Sequence, residues 1–471
     1  MTNDDFLNEI IKFKLPVNRG SQTAHDYLRD YYDNYLNILE KALTKNKNRE
    51  MRFEFYDLIY SNLGEIQNIS DRLIDVFDNY DQADMPNLYS MFDDLINDMY
   101  NYGQLYTRII SYNHKGILPR LYRIRGGSSD YSREDIFHIP FSKRELIQPY
   151  RYSIAGYPCI YLATSIELCW FECGMPKQFS VCEYEFSPTK KQEELSLIDF
   201  TIQPLDLIAI FKAWIAKNPD NLDEIERHFL TYILSFPLRV ACSLSVENRS
   251  CSYIEEYLIP QLLLLWIRRN KGFFDGISYA TASNISVAKE WGNDFNIAIP
   301  AKDISSDYCN ELKEMFKISL PVKCSLSNIF KKRELEINKI KSFTNELQNT
   351  YMYGFPLEPY REILSLCRSF IMFYDVIIRE NYSEAELLHQ LTDTLSLFSY
   401  LYRIDDQYIE DRAIKSGKDL SLTEDEIKMS LKSILSRFNT EVKPVIIDFY
   451  KYANMIACDV NIDPKTFEHI K

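Results

Sequence analysis

The chain contains 471 residues and carries a formal net charge of -14 at pH 7. Its composition, 46% hydrophobic and 14% aromatic, excludes a disordered chain and provides for a large buried core. The acidic balance argues against general nucleic-acid binding, because a net negative protein repels a polyanion at long range.

The N-terminal quarter of the chain is predicted to be helical. From about residue 22 to residue 112, apolar residues recur at the three- and four-residue spacing of amphipathic helices. The segment "LYSMFDDLINDMYNYGQLYTRII", residues 88 to 110, continues this pattern. We therefore predict an all-helical region over residues 1–115.

The middle of the chain is predicted to contain a sheet. Short apolar runs bounded by turn residues are typical of strands. Six such runs occupy residues 118–125, 156–163, 179–187, 195–201, 275–281 and 295–301. Helical spacing interrupts them at about residues 205–270. We predict an antiparallel or mixed sheet domain over residues 116–325, with that helical segment as an insertion.

Helical spacing returns over residues 326–471. Thr423, followed three residues later by Glu426, is typical of a capping box and marks the start of one of these helices. The predicted fold class is therefore α+β, with a central mixed sheet domain flanked by N- and C-terminal all-helical regions.

Apolar runs and cysteine spacing bear on the location of the protein. The longest apolar run, "YLIPQLLLLWI" at residues 257–267, is too short to cross a bilayer. None of the ten cysteines forms a C-x-x-C pair, a usage typical of free thiols in a reducing compartment. The six histidines lack zinc-ligand spacing, so we predict no metal site. We expect a cytoplasmic protein with no membrane partner.

Glu172 occupies an unusual position in the stretch "GYPCIYLATSIELCWFECG". Cys159 to Ala163 is predicted to be a strand, Thr164 or Ser165 an N-cap, and residues 166–173 a short helix that ends at Gly174. A carboxylate in the last turn opposes the helix dipole, which costs about 0.3–1 kcal/mol. Taken alone, Glu172 is equally compatible with a structural ion pair to an arginine and with a functional acid.

The spacing around Glu172 resembles that of the RES domain family. Arg151 lies ten residues before Tyr161, Gly156 falls between them, and Tyr161 lies eleven residues before Glu172. Upstream, "LYRIR" is similar to the strand that opens the family's domain. Downstream, "DGISYATASNISVAKEWGNDFNIAIP" is similar to its closing element. The resemblance covers about residues 117–305.

The resemblance assigns further residues to a site. The family's first arginine falls on Arg123, and its serine position falls on Thr281, with Ser278 and Ser283 as neighbouring alternatives. Tyr152 and the serine after it stand where the family commonly has tryptophan and asparagine.

RES domains have a fold similar to ADP-ribosyltransferases, and members degrade NAD as hydrolases or phosphorylases, usually as bacterial toxins. The resemblance therefore implies an NAD-cleaving enzyme that uses NAD as substrate and needs no cofactor. Arg123 and Arg151 would bind the pyrophosphate, because guanidinium groups suit bidentate contacts with phosphate oxygens. Glu172 would stabilise the positive charge that develops on the ribose. Tyr161 and Tyr152 would supply ring faces for stacking.

The helical flanks exceed what such a catalytic unit needs. They could contact a restraining or triggering protein, or form a homo-oligomer, as expected of an abortive-infection effector that acts against phage. Two other functions stay open from the sequence. One is transfer of ADP-ribose to a protein target, and the other is a non-enzymatic helical regulator or scaffold in which Glu172 pairs with Arg151.

Overall fold

The structure is a computed structural model. It describes residues 9–470 except 11, 47–55, 112–119, 189–193, 208–209, 211–221, 247–250, 252, 282–293, 305, 354, 380, 404–405 and 451–461.

Helices of the N-terminal and central parts come first in chain order. They are α1 (Ala24–Asn46), α2 (Tyr56–Ser61), α3 (Leu63–Asp81), α4 (Met85–Asn101), α5 (Arg133–Ile136), α6 (Ile166–Glu172), α7 (Leu222–Cys242), α8 (Leu258–Arg269) and α9 (Asn310–Met315).

The C-terminal helices follow. They are α10 (Leu326–Lys331), α11 (Glu334–Tyr353), α12 (Glu358–Arg379), α13 (Glu384–Arg403), α14 (Asp406–Lys418), α15 (Glu424–Arg437) and α16 (Lys443–Tyr450). The predicted capping box at Thr423 is confirmed. The Thr423 side chain accepts a hydrogen bond from the Glu426 backbone N–H, and the Glu426 carboxylate accepts one from the Thr423 backbone N–H.

Nine strands in the described part of the chain form one mixed sheet. The strands are β1 (Thr107–Ser111), β2 (Leu121–Gly126), β3 (Cys159–Ala163), β4 (Gln178–Phe186), β5 (Glu194–Phe200), β6 (Gly276–Tyr279), β7 (Asn296–Pro300), β8 (Phe316–Ile318) and β9 (Val322–Ser325). Their order is β1-β5-β6-β7-β3-β2-β4-β8, and β9 also pairs with β4. The pair β5–β6 is parallel and the other pairs are antiparallel. The prediction of an α+β fold with a mixed sheet is therefore confirmed.

Strand β1 corrects one prediction. The sequence pattern extends a helix to residue 110, but α4 ends at Asn101 and Thr107–Ser111 pairs with β5. Gly103 adopts a left-handed conformation, with φ of 66°, which ends the helical run. The segment "TRII" that follows is rich in β-branched residues, which pack well on a pleated sheet.

Three apolar cores hold the elements together, and we name them by position. The N-terminal core joins α1, α3, α4, α7 and α8 to the face of the sheet that includes Cys159, Ile198 and Ile277. The C-terminal core joins α6, β2 and β4 to α10–α15. The rear core covers the other face of the sheet, with α5, α9 and β8. The N-terminal core contains residues from both sides of the predicted domain boundary at 115/116, and the C-terminal core contains residues from both sides of the boundary at 325/326. The division into three domains stays a prediction.

None of the helices in the described ranges combines the length and the apolar character needed to cross a membrane.

Candidate active site

Helix α6 positions Glu172. Strand β3 is apolar and ends at Ala163, and the Ser165 hydroxyl then caps α6 by accepting a hydrogen bond from the Leu168 N–H at 3.3 Å. The helix ends at Glu172, one residue earlier than predicted, and Gly174 adopts a φ of 75° just beyond it. The predicted strand, cap and helix are thus confirmed to within one residue.

Helix α6 lies where the sheet splits. Strands β2 and β3 pair at one position only, Tyr122 with Ala163, so they separate beyond it. The thiol of Cys169 donates to the Tyr122 carbonyl at 3.0 Å, and the thiol of Cys173 is 3.9 Å from the Ile124 carbonyl. The helix that follows β3 therefore rests on β2 and spans the split.

Glu172 contacts an amide rather than a cation. Its Oε1 accepts a hydrogen bond from Asn296 Nδ2 at 3.2 Å, and Asn296 is the first residue of β7. Within the described ranges, no arginine or lysine nitrogen lies within 4.0 Å of the carboxylate. The structural ion pair with Arg151, one of the two interpretations of Glu172, is therefore not formed in this structure.

Tyr279 links Glu172 to Arg151. Tyr279 is the cross-strand neighbour of Asn296, and its ring lies 4.6 Å from that of Tyr152. Burial raises the pKa of Tyr279 well above its ordinary value, the negative charge of Glu172 raises it further, and the positive charge of Arg151 opposes both. The two charged side chains thus both act electrostatically on Tyr279, which is partly buried.

Arg151 caps the C-terminal end of helix α7. Its Nη1 donates to the carbonyl of Cys242, the last residue of α7, at 3.1 Å, and its Nη2 donates to the Leu244 carbonyl at 2.5 Å. A cation at a helix C-terminus satisfies unpaired carbonyls and complements the dipole. The guanidinium carbon also lies 5.4 Å from the centre of the Tyr257 ring. At least part of the role of Arg151 is therefore structural.

Replacing Arg151 by alanine is expected to lower the free energy of unfolding by about 2 kcal/mol, because two hydrogen bonds from a charged donor are lost. Lysine at this position keeps the charge but not the two-pronged donor geometry, so a loss of about 1 kcal/mol is expected. Urea unfolding measures both values. An alanine variant as stable as the wild type would contradict the capping role.

Arg123 occupies the split between β2 and β3. Its Nη1 donates to the Tyr161 carbonyl of β3 at 3.2 Å. A guanidinium has five N–H donors, and this contact uses one of them. The positive charge of Arg123 lowers the pKa of the Cys173 thiol and the negative charge of Glu172 raises it. Arg123 and Glu172 are thus brought close to the same residue.

Of the two predicted tyrosines, Tyr152 is buried and Tyr161 is partly buried. The Tyr161 hydroxyl donates to the Tyr152 carbonyl at 2.5 Å, and burial raises the pKa of Tyr161 well above its ordinary value. The Tyr152 side chain is 1% exposed and lies in the N-terminal core. The faces of the Tyr152 ring are thus closed to a ligand. Tyr150 is 51% exposed, and its ring meets Tyr161 edge-on at 5.7 Å.

The three hydroxyl candidates are placed differently. Ser278 is buried on β6, and its hydroxyl lies 3.0 Å from Asp199 Oδ1, an oxygen that also accepts from Thr201. Since Ser278 and Tyr279 alternate along the strand, the Ser278 side chain projects from the face of the sheet opposite to Tyr279. Thr281 is buried just beyond the end of β6. Ser283 lies outside the described residues.

Sequence reasoning missed Tyr150, Asn296 and Tyr279 as parts of this cluster. Asn296 carries the clearest available signal, because it is a polar residue at the start of an otherwise apolar run. Tyr150 directly precedes Arg151, and Tyr279 lies inside the segment that resembles the closing element of RES domains.

The fold and these contacts define an α+β protein with a candidate active site at a split in its sheet. The sequence is 27% identical over 328 residues to a Bacillus subtilis (strain 168) protein described as "Putative toxin YopC". The aligned part covers 68% of this chain and 70% of the Bacillus protein. No protein-family model matches the chain, and no solved structure matches it.

Proposed function

We propose that the chain is a toxin-like enzyme with a RES-type, ADP-ribosyltransferase-like catalytic region that cleaves NAD between nicotinamide and ribose. The observation that carries the proposal is the placement of Glu172. Its carboxylate is part-buried and contacts an amide, and no described cation neutralises it. The similarity to the Bacillus protein named as a toxin supports the toxin-like character.

The charge requirement of the reaction fits Glu172. When the bond between ribose C1′ and the pyridinium nitrogen breaks, the electron pair goes to the nitrogen, and nicotinamide leaves as a neutral molecule. No general acid is needed for this step. The positive charge remains on the ribose, and a fixed carboxylate stabilises it most when no other cation is paired with that carboxylate.

The remaining groups fit the other parts of the substrate. Arg123 keeps donors for the pyrophosphate, whereas Arg151 is engaged at the end of α7 and contributes its charge to the site. Tyr150, which is exposed, replaces Tyr152 as the aromatic surface for a nucleotide ring. Ser278 is engaged by Asp199 on the other face of the sheet, so we assign the hydroxyl role in substrate binding to Thr281, which lies just beyond the end of β6. Water or phosphate then attacks C1′ to form the new C–O bond, and an attacking water loses one proton to the solvent.

Incubation of the purified protein with NAD, with and without phosphate, tests the proposal. Chromatography should detect free nicotinamide together with ADP-ribose, or with ADP-ribose 1-phosphate when phosphate is the acceptor. Labelled NAD that becomes attached to protein would instead indicate ADP-ribosyl transfer. If the protein releases no nicotinamide and calorimetry detects no NAD binding, the proposal is wrong and a regulator or scaffold is favoured.

A further inference from the structure

Helix α6 carries a second acid, Glu167, that the proposed reaction does not use. Glu167 is 3% exposed, and its Oε1 is buried without a hydrogen-bond partner. Burial raises the pKa of Glu167 to about 7. A buried carboxylate with an unsatisfied oxygen is costly, so a protonated side chain suits this position better at neutral pH.

The surroundings of Glu167 add negative rather than positive charge. The backbone N–H of Glu167 and the Ser165 hydroxyl lower the pKa of Glu167 by hydrogen bonding to the carboxylate, whereas the negative charge of Asp294, just before β7, raises it. Tyr122 on β2 and Cys169 on α6 also lie within electrostatic range of Glu167. Within the described ranges, no lysine or arginine forms an ion pair with Glu167. An ionised Glu167 would therefore be stabilised by hydrogen bonds alone, with no cation among the described residues paired with it.

The residue before the N-cap of α6 and the last residue of α6 are both hydrogen-bonded to the start of β7 or the residues just before it. At the N-terminal end, the Thr164 hydroxyl donates to Asp294 Oδ1 at 3.1 Å and accepts from the Phe295 N–H at 2.9 Å. At the C-terminal end, Asn296 donates to Glu172. Three consecutive residues, 294 to 296, thus form hydrogen bonds with Thr164, which directly precedes the N-cap, and with Glu172, the last residue of this seven-residue helix. A movement of the N-terminal turn of α6 can therefore shift the position of Glu172.

We propose that Glu167 is a positioning residue, whose protonated side chain keeps α6 seated on β7 and so holds Glu172 against Asn296. The inference rests on the proposed function, because the position of Glu172 matters through the cleavage reaction. Ionised Glu167 is repelled by Asp294 and moves toward water. The first turn of α6 moves with it, and the short helix takes Glu172 away from the ribose.

The pH profile of nicotinamide release tests this role. In the wild type, release should fall about 25-fold between pH 6.5 and pH 8.5, as one group with a pKa near 7 ionises. Glu167→Gln keeps the shape of the side chain without its charge, so its rate should change less than about twofold over this range. Glu185→Gln, an exposed change on β4, should keep the wild-type profile. A Glu167→Gln profile that follows the wild type would overturn the proposal.

Unfolding measured against pH provides a readout that does not depend on NAD. The pKa of folded Glu167 is raised above its unfolded value, so its contribution to stability is complete below about pH 4.5 and is lost as pH rises through about 7. The wild-type melting temperature should fall across this window, and that of Glu167→Gln should fall less. If both proteins respond equally, Glu167 does not titrate as proposed. If they differ but the wild type releases no nicotinamide at any pH, the proposed function fails and the positioning role fails with it.

Discussion

The Glu172→Gln variant is expected to release nicotinamide at least about a hundredfold more slowly than the wild type while it unfolds at nearly the same temperature. Glutamine has the same shape as glutamate, and its Oε1 can still accept the hydrogen bond from Asn296. What the substitution removes is the negative charge. Since no described cation pairs with Glu172, its charge does not stabilise an ion pair, and under the proposed function it acts on the ribose instead.

Single-turnover release of nicotinamide and thermal unfolding, measured on the same preparations, give the two values. Glu185→Gln is the matched control, because it makes the same chemical change on an exposed surface. The control should keep both the rate and the melting temperature of the wild type. A Glu172→Gln variant that cleaves NAD at the wild-type rate would show that the charge is not catalytic. A variant that unfolds several degrees lower would assign Glu172 a structural role.

The local structure around Glu172 could be predicted from the sequence because it depends on neighbours in the chain. An apolar run, a serine cap and a terminal glycine define β3 and α6, and all three features act over a few residues. The six predicted strands are found for the same reason, since each is a short apolar run between turn residues.

Long-range pairings could not be predicted in this way. The hydrogen bond from Asn296 to Glu172 joins residues 124 positions apart, and the contacts of Arg151 with α7 span more than 90. The burial of Tyr152 depends on helices that precede it in the chain and on helices that follow it. In strand β1, a long-range pairing made a local prediction wrong, because pairing with β5 overrides the helical pattern of the sequence.

The C-terminal helices do more than flank the candidate site. Five of the seven residues of α6 lie in the C-terminal core, and they are Ile166, Leu168, Cys169, Trp170 and Phe171. Helices α10 to α15 supply most of the rest of that core. Because Glu172 follows directly after these residues, the position of the candidate catalytic carboxylate depends on packing against the C-terminal region.

The Trp170→Ala variant is therefore expected to lose about 3–5 kcal/mol of unfolding free energy, which is typical of a large aromatic side chain deleted from a packed core. Trp170 is 1% exposed in the C-terminal core, and its Nε1 donates to the Pro176 carbonyl at 3.0 Å. Urea unfolding followed by circular dichroism measures the loss. Leu335→Ala is the control, because Leu335 on α11 is 80% exposed, and its change should stay within about 0.5 kcal/mol.

The shape of the unfolding curve distinguishes a shared core from an independent C-terminal domain. With a shared core, Trp170→Ala should shift the unfolding of α6 and of the C-terminal helices together, since both lose the same packing. Hydrogen exchange at partial denaturation would report on each region separately. If the C-terminal helices kept wild-type protection while α6 opened, the two regions would fold independently. Loss of protection in both would mean that the C-terminal helices form part of the scaffold that holds Glu172.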